Sequence, residues 1–247
     1  MPFARPRSLL SVLPFLFAAQ AWAAPASQDR VILVGDSTMA STTGYGDALC
    51  AKLTPETACL NLARGGRSSG SFRAEGRWDE VTRLLRDGAG YRRTYVLIQF
   101  GHNDQPGKPG RSTDFATEFP ANMTRYVEEA RALGAVPVLV TPLTRRSFKA
   151  GYVHNDLAPW AGTVRRIAAD TRTPLVDLNA LSLAAVQAMG PKEADKLARV
   201  GANFDYTHVG PAGAERFADI MARELVRQVP ALKHAFAGKQ TAARGAR

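Results

Sequence analysis

Val31-Ile32-Leu33-Val34, followed at once by Gly35-Asp36-Ser37-Thr38, is the stretch on which the reading of this chain turns. Four apolar residues without a polar interruption form a compact strand candidate, and Gly35 lets the backbone turn sharply after it. The pattern recurs down the chain. Further strand candidates are Ala58–Leu62, Tyr95–Phe100, Val136–Thr141 and Leu175–Leu178. Helical patterns alternate with them. These cover Ala48–Leu53, Trp78–Arg86 (with Trp78, Val81, Leu84 and Leu85 on one side), Phe119–Leu133, Leu157–Thr171 and Pro211–Val229. Near-continuous apolar strands alternating with helices predict a parallel sheet covered on both faces. The expected fold class is α/β: a three-layer αβα sandwich with a central five-stranded parallel sheet, flavodoxin-like. A barrel of eight units needs more strands than the chain offers.

The ends read differently from this middle. Arg5 and Arg7, the largely apolar run Ser8–Ala19 and the small-x-small triplet Ala21-Trp22-Ala23 predict a signal peptide over residues 1–23. A membrane anchor is disfavoured, because a span needs about 20 apolar residues and Pro14 interrupts this shorter run. The expected location is secreted or periplasmic, with one domain over 24–230. Residues 231–247 carry Lys233, Lys239, Arg244 and Arg247 and no acid, and are expected to form a basic, disordered tail. The formal charge of +10 would draw anionic polymers such as uronic-acid polysaccharides, although solubility explains it equally well. In an oxidising compartment Cys50 and Cys59 are expected to pair, clipping a helix–strand turn. Two buried free thiols are the alternative.

Ligands of open α/β sheets bind beyond the carboxyl ends of the strands. Ser37 falls there, three residues after Val34, as a candidate nucleophile; a turn or cap built by Asp36, Ser37 and Thr38 is the bland alternative. After the second strand, Gly65-Gly66 can point backbone N–H groups at an oxyanion or simply make a turn. Gly66-Arg67-Ser68-Ser69-Gly70 matches the G-x-S-x-G elbow, but that elbow needs an earlier strand and loop to supply half its oxyanion hole, and only one strand comes first. After the third strand, Asn103 is a neutral donor, or the start of an Asx turn. His102 has no carboxylate in a D-x-x-H relation and reads as structural. Near the end, Asp205-Tyr206-Thr207-His208 offers a carboxylate that can fix one imidazole tautomer and leave the other nitrogen as base, or else a solvated loop. HExxH, CxxC and phosphate-loop motifs are absent, so no metal and no cofactor are expected.

Four blocks carry a resemblance: Gly35-Asp36-Ser37-Thr38-Met39-Ala40; Gly66-Arg67-Ser68 with Phe72 and Glu75-Gly76-Arg77; Phe100-Gly101-His102-Asn103-Asp104; and Asp205-x-Thr207-His208 before Pro211-Ala212-Gly213-Ala214. In order and spacing the chain resembles the SGNH (GDSL-type) hydrolase superfamily, and within it the rhamnogalacturonan acetylesterases. The resemblance implies Ser37 as nucleophile, His208 as general base and Asp205 as its orienting acid. It also implies an oxyanion hole of the Ser37 N–H, the Gly66 N–H and the Asn103 side chain. Asp177 is a rival acid, made second choice by its distance from His208 in sequence.

The expected activity is removal of acetyl groups from plant cell-wall polysaccharide, with acetylated rhamnogalacturonan or pectin foremost. Arg64, Arg67, Arg145 and Arg146 lie in loops after the second and fourth strands and could bind galacturonate carboxylates. His154 could line the cleft. The expected partner is the acetylated polysaccharide, with no nucleic acid and no membrane, and the expected state is a monomer. One alternative is an esterase or acyltransferase of the same superfamily acting on a xylan acetyl, lipid or small ester. Another is a non-catalytic carbohydrate-binding module, against which the intact Ser, Gly, Asn, Asp and His set counts.

Overall fold

The structure is a computed structural model and describes residue 1 and residues 28–236. The expected signal peptide and residues 237–247 of the expected tail lie outside the described residues. In chain order the elements are β1 (Asp29–Gly35), α1 (Gly46–Cys50), β2 (Thr57–Asn61), α2 (Ser69–Ala74), α3 (Arg77–Arg86), β3 (Arg93–Gln99), α4 (Glu118–Ala132) and β4 (Val136–Val140). A short hairpin of β5 (Phe148–Lys149) and β6 (Tyr152–Val153) follows, then α5 (Ala158–Asp170), β7 (Leu175–Val176), α6 (Leu178–Asp195) and α7 (Pro211–Gln228).

The main sheet has five parallel strands in the order β2-β1-β3-β4-β7. The expected α/β sandwich is therefore what forms. Side chains alternate across each strand. Val31, Leu33, Leu97 and Val138 pack with helices α1, α6 and α7 on one face. Ile32, Val34, Val96 and Ile98 pack with α3, α4 and α5 on the other. Both faces are apolar, which is why the strands read as unbroken apolar runs.

The chain moves one way from β1 to β2 and the other way for every later strand. Right-handed crossovers then put α1 on the face opposite α3, α4 and α5. The reversal lies between β1 and β3, and the crevice beyond their carboxyl ends is where such a sheet binds ligands. The loops after β1, β2 and β3 all open there.

Three expectations need correction or completion. The fifth strand is shorter than predicted, ending at Val176, and Leu178 opens helix α6. Its Asp177 caps that helix, its side chain accepting from the Ala180 amide. The tail does not begin at residue 231. Pro230–Phe236 forms a 3-10 helix whose Leu232, Ala235 and Phe236 are buried. These apolar positions, hidden among basic neighbours, pack into the core beside α7, and His234 sits 3.1 Å from the buried Asp29 carboxylate of β1. Cys50 and Cys59 are bridged, joining the end of α1 to β2 as expected.

Candidate active site

The turn after β1 is held from within. Asp36 is fully buried. Its Oδ1 accepts from the Thr38 amide (2.9 Å) and the Thr38 hydroxyl (2.8 Å). Gln99 of β3 donates to the same hydroxyl (2.7 Å) and accepts from Tyr45 (2.7 Å). His102, also buried, brings Nδ1 to 3.3 Å from Asp36 Oδ2. Burial alone would raise the Asp36 pKa, but the electrostatic influence of the adjacent His102 ring and the hydrogen bonds from the Thr38 amide and hydroxyl outweigh it and keep the group below its ordinary value. Asp36 and His102 therefore hold the turn that presents Ser37, and His102 has the structural place its sequence context suggested.

The Asp205–His208 loop is folded by its own acid. Asp205 Oδ1 accepts the amides of Thr207 (2.9 Å) and His208 (2.8 Å). Oδ2 lies 2.8 Å from His208 Nδ1. His208 Nε2 in turn lies 2.8 Å from Ser37 Oγ. Burial raises the Asp205 pKa, yet the bonds from the His208 amide, the His208 ring and the Thr207 amide bring it below its usual range, so it stays a carboxylate. The Val209 amide donates to Thr43 O (3.0 Å), tying this loop to the Ser37 turn. Acid, imidazole and hydroxyl thus form one chain of hydrogen bonds with the hydroxyl at its open end, the arrangement that lets a serine attack a carbonyl.

The glycine loop and Asn103 meet beside this serine. A Cβ on Gly65 would lie 3.7 Å from Ser37 Cβ. Gly66 has φ +77°, a left-handed conformation that favours glycine. Asn103 Nδ2 donates to Arg67 O (3.0 Å), joining the loops after β2 and β3, and its second N–H remains. Neither the Ser37 nor the Gly66 amide donates to a described residue. Gly101, at φ +147°, carries the chain past Pro142 as it leaves β3, where a Cβ would come within 3.0 Å of the ring. Ser68, the serine of the G-x-S-x-G string, is buried and caps α2, accepting from the Ser71 amide at 3.1 Å. The topological argument against it as nucleophile agrees with its place.

Several expected substrate contacts are committed elsewhere. Arg67 Nε bonds Glu75 and its NH1 bonds Gly65 O. Arg145 divides its three nitrogens among Thr207, Asp156 and Gln105. Arg146 is buried, and its NH2 donates to Asp205 O (2.5 Å) and His208 O (2.8 Å). The reason is the same in each case: these loops carry backbone carbonyls or acids within reach, which take at least one guanidinium nitrogen of each arginine. Arg64 is exposed. His154 is exposed beside β6, and its backbone amide donates to Ser147 O; no described hydrogen bond joins its ring to the site. Asp177 holds Arg165 (2.7 Å) and Thr141 (2.9 Å) and has no contact with His208. Sequence reasoning passed over Phe204 and Tyr206, an edge-to-face pair about half exposed beside Asp205. Two aromatics flanking the acid of a D-x-x-H string were the available signal.

The described residues include no helix long and apolar enough to cross a membrane. A family model described as GDSL-like lipase/acylhydrolase matches residues 33–241. The rhamnogalacturonan acetylesterase RhgT of Bacillus subtilis is 31% identical over 214 residues, covering 79% of this chain and 89% of that protein. The rhamnogalacturonan acetylesterase of Emericella nidulans is 28% identical, covering 79% and 84%. Among solved structures, the crystal structure of YxiM from Bacillus subtilis superposes with a TM-score of 0.69 at 28% identity. That match covers 83% of this chain and little more than half (58%) of YxiM.

Proposed function

The chain belongs to the GDSL-like lipase/acylhydrolase family, and from that membership we propose that it is a carbohydrate acetylesterase. Its substrate on this reading is acetylated rhamnogalacturonan or a similar pectic polysaccharide, the class named for its relatives. The observation that carries the reading is the hydrogen-bond chain from Asp205 through His208 to Ser37, with both imidazole contacts at 2.8 Å.

Ser37 Oγ attacks the acetyl carbonyl carbon as His208 Nε2 takes its proton. Asp205 holds Nδ1–H and stabilises the imidazolium. The free amides of Ser37 and Gly66 and the second N–H of Asn103 receive the oxyanion; each such donor is typically worth about 3 kcal/mol in the transition state. The tetrahedral intermediate collapses, the C–O bond to the sugar breaks, and His208 returns the proton to the departing sugar oxygen. Water then adds to the acetyl-Ser37 carbonyl while giving a proton to His208. Collapse of the second intermediate returns that proton to Ser37 Oγ and frees acetate. The exposed faces of Phe204 and Tyr206 offer apolar area on which a sugar ring can lie.

Export fits this role. The leader expected over residues 1–23 and the Cys50–Cys59 bridge both suit an oxidising compartment, where such polymers are met.

Acetate release across acetylated pectic, xylan and small-ester substrates is the test. Ser37→Ala should lower turnover on every accepted substrate by about 10⁴-fold or more, and an organophosphate should label Ser37. Substantial turnover by the variant, or labelling elsewhere, would overturn the assignment. A protein that binds pectin but releases no acetate would be a binding module.

A further inference from the structure

The arginines nearest the triad are turned to internal partners, but two other cations on the same edge have no carboxylate partner among the described residues. Lys108 and Arg111 belong to the turn Lys108-Pro109-Gly110-Arg111 in the loop after β3. The amides of Arg111 (3.0 Å) and Ser112 (2.9 Å) both donate to Lys108 O. The Ser112 hydroxyl accepts from Lys108 N (2.9 Å) and donates to Gln105 O (2.8 Å). The turn is therefore locked by its own hydrogen bonds.

Arg111 NH1 lies 3.5 Å from Asn103 Oδ1, and a Cβ on Gly66 would lie 3.5 Å from the same nitrogen. Its guanidinium thus borders two of the groups assigned to the oxyanion. Arg111 is exposed. Among the described residues neither it nor Lys108 has a carboxylate at ion-pair distance, whereas Arg67 and Arg145 pair with Glu75 and Asp156. Burial, then the charges of Arg145 and Arg111, hold the Lys108 ammonium below its ordinary pKa. Asp36 and Asp156 oppose this without reversing it. Positive charges crowded together disfavour one another, and a bound anion relieves that cost. Arg111 also lines a groove of about 680 Å³ with Gly70, Glu75, Asn122 and Arg125, which gives neighbouring sugar units room.

From this placement we infer that Lys108 and Arg111 form an anion subsite beside the oxyanion cradle, which takes a uronate carboxylate of the acetylated polymer, on the esterified sugar or close to it along the chain. The planar fork of Arg111 suits a carboxylate, and Lys108 adds a point charge. The inference rests on the esterase reading and narrows its substrate to polymers that place a uronate at or close to the ester.

The test compares kcat/KM on acetylated rhamnogalacturonan oligosaccharides, which are acidic, with that on acetylated xylo-oligosaccharides, which are neutral. Arg111→Ala should lower the acidic-to-neutral ratio by about tenfold, with a further fall on adding Lys108→Ala and partial retention in Arg111→Lys. Arg86→Ala, which removes one charge from the opposite edge of the sheet, should leave the ratio where it was. In the unaltered protein, added NaCl should depress turnover of the acidic substrate more than that of the neutral one. A ratio unchanged in the double variant, an equal fall in Arg86→Ala, or equal salt sensitivity on both substrates would each overturn the subsite.

Calorimetric titration with unacetylated trigalacturonate gives a readout independent of catalysis, with binding expected to weaken at least tenfold in the double variant. Should the unaltered protein release no acetate from either substrate, the esterase reading fails. Trigalacturonate binding that is absent, or equal in both proteins, fails the subsite itself.

Discussion

Arg146 sits beneath the Asp205–His208 loop and gives one nitrogen to two carbonyls, those of Asp205 and His208. Burial pulls its pKa down, with Asp205 and Asp195 opposing, so this is a charge kept inside for the bonds it makes. Arg146→Met should lower kcat at least tenfold with a smaller change in KM, because the imidazole loses its register while the substrate surface remains. Kinetics on a soluble acetyl ester would read this, and an unchanged kcat would refute the buttress. Asp104 holds the other side of the site, accepting from the Ser69 amide and hydroxyl and from Thr113. Burial pushes its pKa up to about 6, against those hydrogen bonds. Folding therefore favours its protonated form. That stabilisation is full below the unfolded value near about 4 and is lost as pH rises through about 6. Relative to Asp104→Asn, the unaltered protein should lose up to about 3 kcal/mol between about pH 4 and pH 7 in urea unfolding; a pH-independent difference would contradict this. Neither role was legible in the sequence. Arg146 read as a candidate contact for a uronate carboxylate and Asp104 as half of an Asx turn, because what decides both is the company of loops distant along the chain.

Helix α2 shows how one short element decided between two serines. Its N-cap is Ser68, in a reciprocal capping box with Ser71. Ser68→Ala should cost about 1 kcal/mol of stability while most acetate release survives. Denaturant unfolding alongside turnover tests both parts, and complete loss of activity in a folded variant would return Ser68 to contention as nucleophile. The strands of the main sheet were legible because they are largely apolar on both faces, whereas the two-residue strands β5 and β6 are too short and too exposed to read that way; α3 was legible because Trp78, Val81 and Leu85 mark one buried side. Helix α6 was not legible. Its buried positions include Asn179 and Ser182, whose side chains bond Pro142 O and the Thr144 amide. It is also interrupted at Gly190, before Pro191. Polar groups satisfied by another loop do not announce a helical face.

At the scale of the whole molecule, the end of the described chain closes over its beginning. Leu232 and Phe236 enter the core beside α7, the Ala235 carbonyl accepts from the Thr54 amide at 2.8 Å, and His234 and Arg92 share the buried Asp29 carboxylate. A chain ending at Val229 should lose about 3 kcal/mol or more from the two larger side chains alone, which corresponds to a fall of about 10 °C in thermal midpoint for a domain of this size. Scanning calorimetry would show it, and an unchanged midpoint would mean that this segment contributes no stability. The sequence by itself determined the parallel sheet, the placing of Ser37, Gly66 and Asn103 on one edge, and the Asp205–His208 pair. Those follow from local apolar runs, glycine turns and a three-residue spacing. Only the tertiary structure decided which cations are free. Arg67 and Arg145 are paired with carboxylates and Arg146 is drawn inward by backbone carbonyls, while among the described residues Lys108 and Arg111 have no carboxylate partner, because charge pairing depends on distances between side chains that the fold, and not their order along the chain, brings together.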